Sequence, residues 1–309
     1  MEDSGAKMAW VERYLSQLTT QRQLSDLTTG AYRRDLQELA SMTGPTEWSA
    51  VRHADIRRIS SSLHARALGP RSIARKLSSW RGFFNWMAHN AALAANPVDG
   101  VRAPRCPKTL PKALAVDDAV RLVSAPAHAH ANPEPADLCN RAMFELLYSS
   151  GLRVSELAGL DLAYANPSLG WIDLDARDVI VTGKGNKMRK VPVGRHAIDA
   201  LQAWLAVRPA PSDGSAALFV SSRGARMSVR VIQTRLKAHA LASGSTVNVH
   251  PHVLRHSFAS HVLQSSGDLR AVQDMLGHAS IASTQVYTAL DFQHLSEVYD
   301  KAHPRAKAK

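Results

Sequence analysis

The chemistry of this sequence begins with His250-Pro251-His252-Val253-Leu254-Arg255-His256 and, further on, His261. His252 and Arg255 are three residues apart, so a helix would project both from one face. An imidazole beside a guanidinium suits a phosphoryl group, because the arginine binds oxygens while the histidine moves protons. His252 and His256 also have the four-residue spacing of a zinc helix. That motif needs a Glu where Val253 stands, and no cysteine or carboxylate lies near enough in sequence to complete a typical site. On its own the segment also reads as a structural histidine cluster.

Other polar groups sit at predicted helix boundaries, where a side chain can face a cleft without entering a core. Gly151-Leu152-Arg153-Val154-Ser155-Glu156-Leu157 puts an arginine just after a helix-stopping glycine. Gly277-His278 repeats the arrangement with a histidine, and Tyr287 follows within Ser280 to Thr288, a short helix that Ser280 can cap. By itself Tyr287 reads as an ordinary core or surface aromatic. Thr182-Gly183-Lys184-Gly185-Asn186-Lys187 is a Gly- and Asn-rich turn whose lysines are otherwise ordinary solvated groups.

These residues need elements to hold them. The first hundred residues read as helices, with apolar stripes at Met8, Val11, Leu15 and Leu18, and at Tyr32, Leu36 and Leu39. The clearest helix runs from Pro70 to His89, with Ile73, Leu77, Trp80, Phe84 and Met87 on one face. Arg71, Arg75 and Ser79 lie on another face, flanked by Lys76 and Arg81. With Arg57, Arg58 and Arg66 they suggest a phosphate-tracking surface, against the plainer reading of a solvated basic face. From Asn96 to Pro111 five prolines and glycines accompany Arg102, Arg105 and Lys108, which predicts an extended basic linker. Beyond it come helices at 116–124 and 136–150, then short strands at Trp171–Leu174, Val179–Val181 and Lys190–Val193. Helices resume at 195–208, 228–242, 253–266, 269–276 and 281–289. The expected organisation is a helical domain over 1–95, a linker over 96–111, a second domain over 112–303 and a mobile basic tail over 304–309. The fold class is mainly α with a small antiparallel β-sheet.

The chain has 309 residues, 45% hydrophobic and 21% charged, a soluble globular composition. Lys and Arg outnumber Asp and Glu 38 to 26, a net charge of +12 that predicts an anionic partner, nucleic acid before membrane surface. No stretch approaches the roughly 20 apolar residues of a membrane span. The polar, acidic start and the two unpatterned cysteines, Cys106 and Cys139, fit the cytoplasm.

Taken together, Gly151 to Leu157, His252-Val253-Leu254-Arg255-His256, Leu276-Gly277-His278 and Tyr287-Thr288 resemble the signature of the tyrosine recombinase (lambda-integrase) family, in its order and at its approximate spacings. The resemblance spans nearly the whole chain. It implies a two-domain clamp, with a helical, SAM-like core-binding domain and an α+β catalytic domain. It implies that Arg153, Arg255 and His278 contact the scissile phosphate, that Tyr287 attacks it, and that His252 accepts the tyrosine proton. Lys184 would protonate the departing 5′ oxygen, with Lys187 a nearby competitor, and Glu156 would support Arg153. Neither metal nor ATP is required, since the phosphotyrosine conserves the phosphodiester energy.

Residues from Leu290 to Lys307 resemble more narrowly the bacterial members that resolve chromosome dimers. Implied partners are double-stranded DNA carrying a dimer-resolution site, a related recombinase in a tetramer of two protomers of each kind, and a division-linked DNA translocase. Leu295, Val298 and Tyr299 would form an apolar face that packs either on a neighbouring subunit or on its own domain. A mobile-element integrase with the same chemistry, and a catalytically silent DNA-binding protein, are the competing readings. The segment Asp161 to Leu174 departs from the family by being longer and more irregular, which leaves the aim of Lys184 open.

Overall fold

The computed structural model describes residues 2–22, 26–90, 93, 95–105, 113–125, 133–166, 168–183, 188–245, 247–277 and 289–306. The chain divides into two compact units, Met1–Thr109 and Leu110–Lys309.

The first unit is built from α1 (Glu2–Arg22), α2 (Asp26–Thr43), α3 (His53–Ala65) and α4 (Pro70–Asn90). The expected stripe on α4 is its buried face: Ile73, Leu77, Trp80, Phe84 and Met87 all enter the core, against Val11, Leu15, Leu18, Leu36 and Leu39. Its buried indoles keep hydrogen-bond partners, as burial demands. Trp48 Nε1 donates to the Lys7 carbonyl at 3.0 Å and Trp80 Nε1 to the Asp35 carbonyl at 2.9 Å.

Two expectations about this unit change. Lys76 and Ser79 are buried rather than available to phosphate. Lys76 pairs with Asp35 and Glu38, and Arg75 also pairs with Asp35, so these cations join α4 to α2. Arg57, Arg58, Arg66 and Arg71 remain exposed. The predicted extended linker is also docked over its first part. Val98 and Val101 lie in the core, and Arg81 Nη2 donates to the carbonyls of both, at 3.3 and 3.0 Å. Residues 106–112 lie outside the described ones.

The second unit is organised around α6 (Pro135–Ser150), buried at every position from Ala142 to Ser150. A helix apolar nearly all round must be enclosed, and α8 (Arg195–Val207) and α10 (Pro251–Ser266) enclose it. α5 (Val116–Ser124), α7 (Val154–Ala158), α9 (Val229–Ala242), α11 (Leu269–Leu276) and α12 (Ala289–Ala302) complete the helices among the described residues. The sheet is antiparallel in the order β1 (Gly170–Asp173), β2 (Asp178–Thr182), β3 (Met188–Pro192). The irregular segment before β1 is tied down: Asp161 is buried, pairs with Arg226 at 2.5 Å and accepts from Ser168 Oγ at 2.8 Å. The short helix expected over 281–289 falls almost wholly outside the described residues.

The C-terminal segment packs on its own domain. Leu295, Tyr299 and Ala302 of α12 join the core of the second unit. The tail predicted from residue 304 is ordered at least to Arg305, which is buried and ion-paired with Glu145 of α6. No helix of the described residues is long and apolar enough to cross a membrane.

Candidate active site

Arg153 is placed by local geometry. Gly151 ends α6 with φ +56, the left-handed conformation glycine adopts without a Cβ penalty. A Cβ there would also strike the Phe258 ring at 2.4 Å. The chain turns, and Arg153 becomes the residue preceding α7. Its backbone N–H donates to Glu156 Oε2 at 2.7 Å and its Nη1 to Glu156 Oε1 at 2.9 Å. Glu156 therefore supports Arg153 from one turn along, as the resemblance implied.

A residue not anticipated from the sequence shares that carboxylate. Arg189 of β3 forks onto Glu156, with Nη1 to Oε1 at 2.8 Å and Nη2 to Oε2 at 2.7 Å. The signal was present: Arg189 lies two residues from the inward Val191, so the period of a strand puts both on the inner face. Burial alone would raise the Glu156 carboxyl. Its hydrogen bonds and charge interactions with Arg189 and Arg153 outweigh that and hold it below the usual carboxylate range.

Arg255 sits on α10, buried, with Nη1 donating to the Gly151 carbonyl and Nη2 to the Leu276 carbonyl, both at 2.6 Å. Burial first, then the neighbouring charge of Arg153, lowers its guanidinium to about 10, so it stays cationic at neutral pH. Its remaining N–H groups are free of these two carbonyls. His252, on the same helix, is exposed.

The three guanidiniums meet at the end of α11. The last carbonyls of a helix have no partner within it and carry the negative end of the dipole. Here three consecutive ones are capped by three arginines: Met275 by Arg189 Nε at 2.9 Å, Leu276 by Arg255 Nη2 at 2.6 Å, and Gly277 by Arg153 Nη2 at 3.4 Å. Gly277 is left-handed, φ +63, and a Cβ on it would press on Arg189 Cδ at 3.0 Å. The structure thus brings Arg153 and Arg255 together on the chain immediately before His278. His278, Tyr287, Lys184 and the competing Lys187 lie outside the described residues.

The other histidines of α10 divide by environment. His261 is buried, with Nε2 facing the Leu114 carbonyl at 2.8 Å and Nδ1 facing Tyr148 Oη at 2.9 Å. A carbonyl can only accept, so Nε2 carries the proton and the tyrosine donates to Nδ1. Burial lowers its pKa, and it serves as a neutral structural residue. Among the described residues no group of three His, Cys, Asp or Glu side chains is arranged to hold a metal ion.

Residues 112–294 match the phage integrase family, and residues 11–90 match the phage integrase N-terminal SAM-like domain. A protein of Ralstonia nicotianae named tyrosine recombinase XerC 1 is 54% identical, over 96% of this chain and 93% of its own. One of Alcanivorax borkumensis named tyrosine recombinase XerC is 46% identical, over 99% and 97%. In fold, the chain resembles the XerH site-specific recombinase bound to a palindromic difH substrate, with TM-score 0.69 and 18% identity over 96% of each chain. It likewise resembles a lambda integrase dimer bound to a core site, with TM-score 0.67 and 15% identity over 91% and 99%. By sequence and by fold, then, this chain belongs to the phage integrase family, the tyrosine recombinases, which cut and rejoin DNA at specific sites.

Proposed function

We propose that this chain resolves chromosome dimers by recombining a dif-type DNA site, working with a related recombinase of the XerD kind in a tetramer of two protomers each. The observation that carries this reading is the 46–54% identity, over nearly the full chain, to proteins named XerC. The setting is the bacterial cytoplasm, at the nucleoid, during cell division, with a DNA translocase of the division apparatus as a further partner.

Six residues carry the chemistry. Arg153, Arg255 and His278 bind the non-bridging oxygens of the scissile phosphate, and planar guanidiniums supply paired donors to the charge that develops there. A free tyrosine hydroxyl has a pKa of about 10, so at neutral pH Tyr287 needs a base to become a nucleophile. It attacks phosphorus as His252 takes its proton. The bond to the 5′ oxygen breaks, and Lys184 protonates that oxygen. The freed 5′ hydroxyl of one strand then attacks the phosphotyrosine of the other, losing its proton to Lys184, while His252 returns the proton to Tyr287. Bonds formed equal bonds broken, so the cycle needs no ATP. The capping of α11 by Arg153 and Arg255 supports this reading, because it holds both cations beside the chain that leads into His278.

The test is a nicked duplex carrying a dif-type site, which traps the covalent intermediate. Wild type forms an SDS-resistant adduct and Tyr287→Phe does not. An adduct that persists in Tyr287→Phe removes Tyr287 as nucleophile. Failure to bind any dif-type duplex, with or without the partner recombinase, replaces dimer resolution with a mobile-element integrase.

A further inference from the structure

Arg189 is a buried cation that the six-residue site does not use. It lies on β3, opposite Val181 of β2, and Lys184 falls in the sequence between these two strands. Its three nitrogen groups are all committed. Two hold both oxygens of Glu156, and the third caps the Met275 carbonyl. Glu156 in turn holds Arg153 by both its backbone N–H and its guanidinium. Gly277, in the left-handed conformation, lies against the Arg189 side chain, and a Cβ there would press on Arg189 Cδ at 3.0 Å. One guanidinium therefore ties β3, which follows Lys184 in sequence, to the carboxylate that aims Arg153 and to the end of the helix that precedes His278.

We propose that Arg189 is a positioning residue for DNA cleavage: it locks Glu156 in the orientation that aims Arg153 and fixes the end of α11 relative to the β2–β3 hairpin. The inference rests on the reading of Arg153 as a phosphate ligand. A lysine cannot reproduce it, because one ammonium cannot hold both carboxylate oxygens in the plane of a fork and reach Met275 as well. Arg189 does not itself hold the phosphate. Its effect passes through Arg153 and through the placement of α11.

A double-mutant cycle tests this on the full-length protein. Single-turnover adduct formation is measured at saturating DNA for wild type, Arg189→Met, Arg153→Ala and the double variant, below the melting temperature of each. The substrate is whichever nicked duplex the wild type attaches to, so a wrong target and a wrong role for Arg189 give different results. Tyr287→Phe, run alongside, reports on the nucleophile separately. Arg189→Met is expected to slow adduct formation about a hundredfold, the scale of an ångström-sized misplacement, with DNA affinity changed less than about threefold. In the Arg153→Ala background the same substitution slows it less than about threefold further. Arg189→Lys, which keeps the charge, is expected to recover less than about a tenth of the lost rate, and it takes the place of Arg189→Met in the cycle if the latter does not fold. Independent effects that multiply, or a folded Arg189→Met or Arg189→Lys that cleaves at the wild-type rate, would overturn the proposal.

Discussion

Arg305 forks onto Glu145, with Nε donating to Oε2 at 3.0 Å and Nη2 to the other oxygen, and both groups are buried. The pair fastens the residues after α12 to the central helix α6. Beside it, the Arg305 carbonyl passes so close to Gly194 that a Cβ there would sit 2.2 Å from it.

Removing one partner of such a pair leaves a buried charge uncompensated, which costs about 3–5 kcal/mol. Arg305→Ala is expected to destabilise the second unit by that order in denaturant unfolding, and to speed proteolysis within 289–302. The double variant Glu145→Met/Arg305→Met should be more stable than Arg305→Ala, because no charge is left stranded. A double variant that is less stable would show that the pair contributes net stability of its own.

Gly151→Ala combines a left-handed alanine with a clash against Phe258. Together these should cost roughly 2–4 kcal/mol. The substitution also moves the carbonyl that receives Arg255 and the turn that launches Arg153. We expect adduct formation to fall at least tenfold at temperatures where the variant is still folded. Full cleavage by a destabilised Gly151→Ala would separate the turn from the aim of the arginines.

His303 lies stacked on Tyr299 at 4.9 Å between ring centres, and burial pushes its pKa down to about 3. The unfolded chain binds a proton there below about pH 6.5, whereas the folded chain resists until near pH 3. Its contribution to stability is therefore full above pH 6.5 and is lost as pH falls, at up to about 1.4 kcal/mol per unit. Unfolding free energies between pH 6.5 and 5 should fall less steeply for His303→Phe than for wild type. His261, whose pKa is also lowered, leaves a residual slope of the same sign. Equal slopes in the two proteins would assign the acid sensitivity elsewhere.

Lys184→Ala is expected to slow cleavage of an ordinary nicked duplex while leaving DNA binding intact. A substrate with a 5′-bridging sulfur has a leaving group that needs no proton, so it should restore the rate. Lack of rescue would move the acid to Lys187 or to another group.

Much of this fold was legible because its periods are local. The stripe from Ile73 to Met87, the buried run ending at Gly151 and the strand alternation around Val191 each follow from spacing alone. The site was legible as residue types in order, with Glu156 as support for Arg153, but the part played by Arg189 and Met275 was not. Glu156, Arg189 and Met275 meet across long stretches of chain, and no periodicity reports such a meeting. Lys76 looked like surface charge because its partners, Asp35 and Glu38, are on another helix. Arg305 looked like part of a loose tail because a short basic segment carries no sign of a buried carboxylate awaiting it.

The crowd of cations at the end of α11 has an effect on the whole domain. Arg153 and Arg189 share the Glu156 carboxylate, and after burial the charges of these two arginines lower the pKa of Arg255. On the proposed reading, a duplex phosphate held by Arg153 and Arg255 adds the opposite sign where like charges oppose one another. Substrate is then also a stabiliser of the fold that binds it, and the recombinase resists heat and denaturant most strongly when engaged with DNA.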